Sequence, residues 1–146
     1  MTAWLSKSSK VELLKKVPLF DGFTRRQLEQ VARLADEVEV PASKHLARAG
    51  DTGRELFIIL DGRATVKTPQ GRIVRLGPGD FFGEMSLLDG GQRSADVDAD
   101  TSRRLLVVAQ RDFWTLLGTA PLIARKIMIA LSNRLRKADA AFSPCT

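Results

Sequence analysis

Residues 82–97 read Phe-Gly-Glu-Met-Ser-Leu-Leu-Asp-Gly-Gly-Gln-Arg-Ser-Ala-Asp-Val. A tight glycine, Gly83, precedes a carboxylate, Glu84, which opens a short apolar turn through Met85, Ser86 and Leu88. A glycine-rich bend follows, then Arg93 trailed by two small residues, Ser94 and Ala95. Each piece suits a sugar that carries a compact phosphate. Gly83 lets the backbone approach a ligand with no Cβ in the way. Glu84 to Leu88 is long enough for one helical turn, whose free N–H groups form an anion site. Arg93 supplies a planar fork of donors matched to two phosphate oxygens. An ionised Glu84 only accepts, which suits a ribose hydroxyl and repels a phosphate placed directly on it. Gly-Glu alone, or a lone arginine, reads as a surface loop; the full ordered set does not.

This order is similar to the phosphate-binding cassette of the cyclic nucleotide-binding domain family. That family includes the bacterial catabolite activator proteins, the regulatory subunits of cyclic AMP-dependent kinase and the cyclic nucleotide-gated channels. Gly50-Asp51, then Leu56, Ile58 and Gly62, stand where the family places a glycine turn, an apolar strand and a second glycine. Gly79-Asp80-Phe81 leads into the cassette as in the family. Val17-Pro18-Leu19-Phe20 and the short helix after it resemble the family's opening segment. The resemblance covers residues 12–137, nearly the whole chain.

Outward from the cassette, the chain reads as helices at both ends with strands between them. Ser9-x-x-Glu12 resembles a capping box for a first helix that ends before Pro18. Thr24-Arg25-Arg26-Gln27 is a better one, with Phe23 and Leu28 placed as a hydrophobic staple. Leu28, Val31 and Ala35 share one face, so the spacing predicts a helix over 25–36. Short apolar or alternating runs then appear at 37–40, 44–48, 55–60, 63–68, 72–76, 94–100 and 103–109, punctuated by Gly, Pro and Asp. That spacing predicts an α+β fold, an antiparallel β-roll or jelly-roll-like barrel flanked by N- and C-terminal helices. Helix returns over 111–118, closed by Gly118, and Pro121 suits the first turn of the next helix. There Ile123, Ile127, Leu131 and Leu135 form one line, a core or dimer seam.

Composition fits one small domain. At 146 residues and 44% hydrophobic, the chain buries one core and is short for two. We expect a domain over 1–141 and a tail over 142–146. No apolar run approaches bilayer length, and the start lacks a signal-peptide centre. Cys145 has no partner for a disulfide. A cytoplasmic location without membrane attachment is the expectation. The net charge of +6 gathers at the ends, in Lys7, Lys10, Lys15 and Lys16 and in Arg125, Lys126, Arg134, Arg136 and Lys137. Helix surfaces are often charged this way, and an acidic partner or nucleic acid is the alternative account.

Catalysis finds little footing. His45, the only histidine, falls in a strand, and Cys145 falls in the tail with no base held nearby. There is no CxxC pair, no HExxH and no GxxxxGK[ST] loop. Asp98 and Asp100 share a strand face with nothing else that suggests a metal. No enzyme, metal or cofactor is expected.

The resemblance implies a sensor whose roll receives a cyclic nucleotide, cyclic AMP or alternatively cyclic GMP. Carried across, Arg93 holds the cyclic phosphate and Glu84 the ribose 2′-hydroxyl. The N–H groups of Ser86 and Ala95 close around the phosphate, beside Gly83 and Met85, and Ser94 adds a hydroxyl. Val66, Val74 and Phe82 map to the pocket wall, and the last helix to a lid whose Arg134, Arg136 or Phe142 meets the base. In this family a threonine after the arginine accompanies cyclic GMP; Ser94 leans toward cyclic AMP. About nine residues remain after Lys137, too few for a helix-turn-helix, so direct DNA binding is not expected. An effector protein is the implied partner, with a homodimer through the last helix a further expectation. The alternative is an interaction module that keeps the fold without a ligand.

Overall fold

The computed structural model describes residues 6–93 and 95–142. Helix α1 (Lys7–Leu14), a tight helical turn (Pro18–Phe20) and α2 (Arg25–Ala32) lead into strands β1 (Ala35–Val40), β2 (His45–Ala47), β3 (Glu55–Asp61), β4 (Ala64–Lys67), β5 (Ile73–Leu76) and β6 (Phe81–Phe82). Helix α3 (Glu84–Asp89) separates these from β7 (Asp96–Ala99) and β8 (Arg103–Ala109), after which come α4 (Gln110–Thr119) and α5 (Pro121–Phe142). The strands form two four-stranded antiparallel sheets, ordered β1-β8-β3-β6 and β2-β7-β4-β5. The architecture is the predicted α+β roll, with two facing sheets rather than a closed barrel.

The two sheets have different sequence patterns because they are buried differently. In the first, the central strands β3 and β8 are covered on both faces. Leu56, Ile58, Leu106 and Val108 point into a core shared with the helices, where Leu14, Phe20, Leu28 and Phe113 meet them. The alternate residues Phe57, Ile59 and Leu105 point into the roll, against Ala64 and Val97 of the second sheet. A strand covered on both sides reads as a continuous apolar run. Leu-Phe-Ile-Ile-Leu and Leu-Leu-Val-Val are such runs. The second sheet keeps one face in solvent, so Asp96-Val-Asp-Ala alternates, with Val97 and Ala99 buried.

Three boundaries differ from the sequence reading. Helix α2 stops at Ala32 rather than 36, because Ala35 to Val40 pair residue by residue with Val108 to Arg103 of β8. Ladder pairing over six residues overrides the local helical spacing. Helix α1 is capped by Ser6, whose hydroxyl accepts from Ser9 N at 3.2 Å, so Ser9 lies inside the first turn. Gly118 does not close α4, which runs on to Thr119.

The capping box at Thr24 forms in full. Thr24 Oγ1 accepts from Gln27 N at 3.2 Å, and Thr24 N donates to Gln27 Oε1 at 3.0 Å. The same Oε1 accepts from Lys126 Nζ of α5 at 2.6 Å, so this cap also ties the first helices to the last. Replacing Thr24 with Ala should lower the unfolding free energy by about 1 kcal/mol, as measured by urea denaturation.

Candidate functional site

The chain enters the site along β6, a two-residue strand in which Phe82 pairs with Phe57 and Phe81 with Ile58. Gly83 then turns into α3 with φ +89°. A side chain there would be strained by the backbone, and a Cβ would lie 2.6 Å from the Glu55 carbonyl oxygen. No side chain caps the first-turn N–H groups of α3. Between this turn and the roll lies a cavity of about 350 Å³. Its wall is apolar, with Val66, Phe82 and Val97, and its other end holds Glu84, Ser86 and Arg93. An apolar pocket with a few convergent polar groups is the usual form of a small-molecule site.

Arg93 is only 9% exposed. Its Nη2 donates to the Glu55 carbonyl oxygen at 3.1 Å, and its guanidinium stands 5.5 Å from the centroid of the Phe57 ring. Phe57 in turn stacks on Phe82 at 4.9 Å. Burial pushes the pKa of Arg93 below its ordinary value, and the Glu55 carboxylate acts in the opposite direction. Arg93 Nη1 is buried and has no hydrogen-bond partner among the described residues.

Glu84 is buried at the N-terminal end of α3. Its Oε1 lies 2.5 Å from Nη1 of Arg134, which reaches over from α5. Its other oxygen, Oε2, is buried with no hydrogen-bond partner among the described residues. Arg93 and Glu84 thus line the cavity, and each carries one atom, Nη1 and Oε2, that is closed off from solvent and unpartnered among the described residues. Groups of this kind are costly to bury unless something completes them.

The structure brings Gly83, Glu84, Met85, Ser86, Arg93 and Ala95 around this one cavity, with Val66 and Phe82 in its wall. Met85 is largely exposed at the rim. Val74 pairs directly with Val66 but does not line the cavity. Arg136 is exposed, away from the cavity, while Arg134 meets Glu84. Ser94, Cys145 and the side chain of Phe142 lie outside the described residues. The line through α5 also divides: Ile123 and Ile127 are buried, whereas Leu135 is 65% exposed. Residues the sequence reading passed over are Gly53 and Phe57 against Arg93, the Glu55 carbonyl, and Ala47 and Val97 in the wall. For Phe57 and Val97 the strand alternation was a usable signal.

Elsewhere the charges are largely engaged. His45 Nδ1 pairs with Asp98 Oδ1, and Thr65 Oγ1 donates to Asp100 Oδ2 at 2.7 Å. No cluster of three or more metal-ligating side chains occurs among the described residues. Lys10 Nζ donates to the Ala35 carbonyl and Lys15 pairs with Glu12. A larger cleft of about 500 Å³ at the far end of the first sheet sets Arg103 and Arg104 beside Glu39 and Asp61. Two cationic and two anionic side chains line it, so their formal charges sum to zero.

The model of the family described as cyclic nucleotide-binding domain matches residues 37–120. A cyclic nucleotide-gated potassium channel of Rhizobium etli is 40% identical over 116 residues, covering 80% of this chain and 32% of the channel. The cyclic AMP receptor protein of Thermus thermophilus is 34% identical over 131 residues, covering 86% of this chain and 61% of the receptor. The chain therefore spans about a third and about three fifths of these two relatives. The crystal structure of the N-terminal domain of a transcriptional regulator from Streptomyces coelicolor A3(2) superposes with a TM-score of 0.78 at 30% identity. That match covers 88% of this chain and 96% of that domain. No single described helix is long and apolar enough to cross a membrane. With the cassette, both sheets and the following helix inside the matched residues, the chain belongs to the cyclic nucleotide-binding domain family.

Proposed function

We propose that this chain is a cyclic nucleotide sensor, with cyclic AMP as its ligand, that regulates a partner protein from the cytoplasm and has no catalysis of its own. The observation that supports this most is that two residues lining the cavity, Arg93 and Glu84, each hold a buried atom without a partner among the described residues, Nη1 and Oε2. A cyclic phosphate completes the first with a charge-assisted hydrogen bond, and a ribose 2′-hydroxyl donates to the second. The purine then rests on the apolar wall of Val66, Phe82 and Val97. Ser94 in place of a threonine favours cyclic AMP over cyclic GMP.

Signal output runs through α5. Arg134 already occupies one oxygen of Glu84, and the hydroxyl uses the other, so ligand and helix share one carboxylate without competing. The ligand thereby favours the form in which α5 is docked, which is a shift of a pre-existing equilibrium. The partner senses that shift. On α5, the exposed Met128, Leu135 and Ala138 and the half-buried Ala124 and Leu131 recur at spacings of four and three, the pattern of a coiled-coil seam. Met128 is 63% exposed and Leu135 65%. A second copy of the chain covers this seam in a homodimer. Part of the basic charge is engaged within the fold, through Lys10, Lys126 and Arg134.

Isothermal calorimetry with cyclic AMP and cyclic GMP tests the first claim. Tighter binding of cyclic AMP is expected, and heat from neither ligand would leave the fold as a ligand-independent module. Truncating one member of a buried charged contact typically costs about 2–5 kcal/mol, so Arg93→Ala should weaken cyclic AMP by at least tenfold. In a second measurement, Glu84→Gln and a 2′-deoxy ligand should each lose about 1–3 kcal/mol, but together little more than either alone. Fully additive losses would remove the proposed hydroxyl contact. For the dimer, sedimentation velocity should show a two-chain species that Leu135→Glu converts to a monomer with unchanged circular dichroism.

A further inference from the structure

No left-handed turn geometry calls for a glycine at position 53. Its backbone does not adopt a positive φ, so an L side chain is conformationally allowed there. Yet a Cβ at this position would lie 2.2 Å from Arg93 Nε, 2.5 Å from Cζ and 2.7 Å from Cδ. Those distances are far inside van der Waals contact, and no other residue is among the nearest atoms. The absent side chain at Gly53 is space that the Arg93 guanidinium fills.

The loop that bears Gly53 also holds the backbone of Arg93. Gly50 N donates to Arg93 O at 2.9 Å, Arg93 N to Asp51 O at 2.7 Å, and Gly53 N to Gly91 O at 3.0 Å. Thr52 and Gln92 form a bridge in the middle of this short ladder. Residues 50–53 therefore fix both ends of the arginine, its main chain by hydrogen bonds and its guanidinium by an open slot. On the far side of the guanidinium stands Gly83, where a Cβ would meet Nη1 at 2.4 Å.

We propose that Gly53 is a positioning residue for the phosphate contact: the slot it leaves sets the direction of the Arg93 fork. This deepens the sensor reading above and rests on it. A guanidinium forced aside by one methyl group keeps its charge but loses the alignment on which bidentate recognition depends. Gly53→Ala should accordingly weaken cyclic AMP about tenfold while the thermal midpoint stays within error of the parent. With Arg93→Ala already in place, adding Gly53→Ala should change affinity less than about twofold, because the clashing atoms are gone. Equal losses in both backgrounds, or no loss in the parent background, would overturn the proposal.

A readout without ligand separates this claim from the sensor reading. In a nitrogen-15 labelled sample the Arg93 Nε–H resonance is identified by its disappearance in Arg93→Lys. Gly53→Ala should shift it and speed its exchange with water; an unmoved resonance overturns the proposal even if the parent binds cyclic AMP. A parent that gives no heat with either nucleotide, together with a shifted Nε–H, defeats the sensor reading and keeps the positioning role. Should Gly53→Ala fail to fold, the double variant with Arg93→Ala should recover the fold, and continued unfolding would overturn the steric account.

Discussion

Burying the Arg93 side chain beside the cavity is costly, and much of the surrounding structure stands in relation to it. An unpaired buried ion carries an effective penalty of several kcal/mol. No carboxylate forms an ion pair with Arg93 among the described residues. What meets it instead is a backbone carbonyl, an aromatic face and two glycines. A carbonyl bond and a cation–π contact each return about 1–2 kcal/mol, less than the penalty. The remainder is a free energy that an anion in the cavity recovers. On the proposed reading, that unfilled demand is the source of affinity.

The first sheet makes this arrangement rigid. Leu56 and Ile58 on β3 anchor one face in the helical core, so Glu55 and Phe57, their chain neighbours, cannot shift without disturbing it. Both are contacts of Arg93, one through its carbonyl and one through its ring. Phe57 belongs at once to the roll interior and to the arginine site. A strand packed on both faces is a better support for a charged side chain than a loop, because close packing resists sub-ångström displacement.

What was legible in the sequence follows from the range of each interaction. The cassette was legible because Gly83, Glu84 and Arg93 act within a dozen residues of one another, and the chemistry of each is set by its type. The family resemblance mapped Val66 and Phe82 to the wall, but it did not say where the cavity stops, and Val74 stands on the same face beyond it. Arg134 and Arg136 were inseparable by spacing, yet two residues on a helix differ by about 200° in direction, so only the docked orientation of α5 distinguishes them. Strand β6 was missed because two residues are too short for any periodicity. Gly53 had no signal at all. Its role arises from a side chain forty positions later, which local propensity cannot register.

The shared carboxylate of Glu84 constrains how such a site can report occupancy. If Arg134 held both oxygens, a ligand hydroxyl would have to displace it, and binding would release α5. Because one oxygen has no partner among the described residues, on the proposed reading the hydroxyl adds to an existing ion pair and does not displace it. Linkage is reciprocal: whatever docking of α5 contributes to ligand affinity, the ligand returns to the docking of α5 by the same factor. The helix also connects to α2 through Lys126 and Gln27, so its docked form engages the N-terminal helices as well as the cassette. On the proposed reading, occupancy of the 350 Å³ cavity is thereby expressed along a helix that exposes Met128 and Leu135.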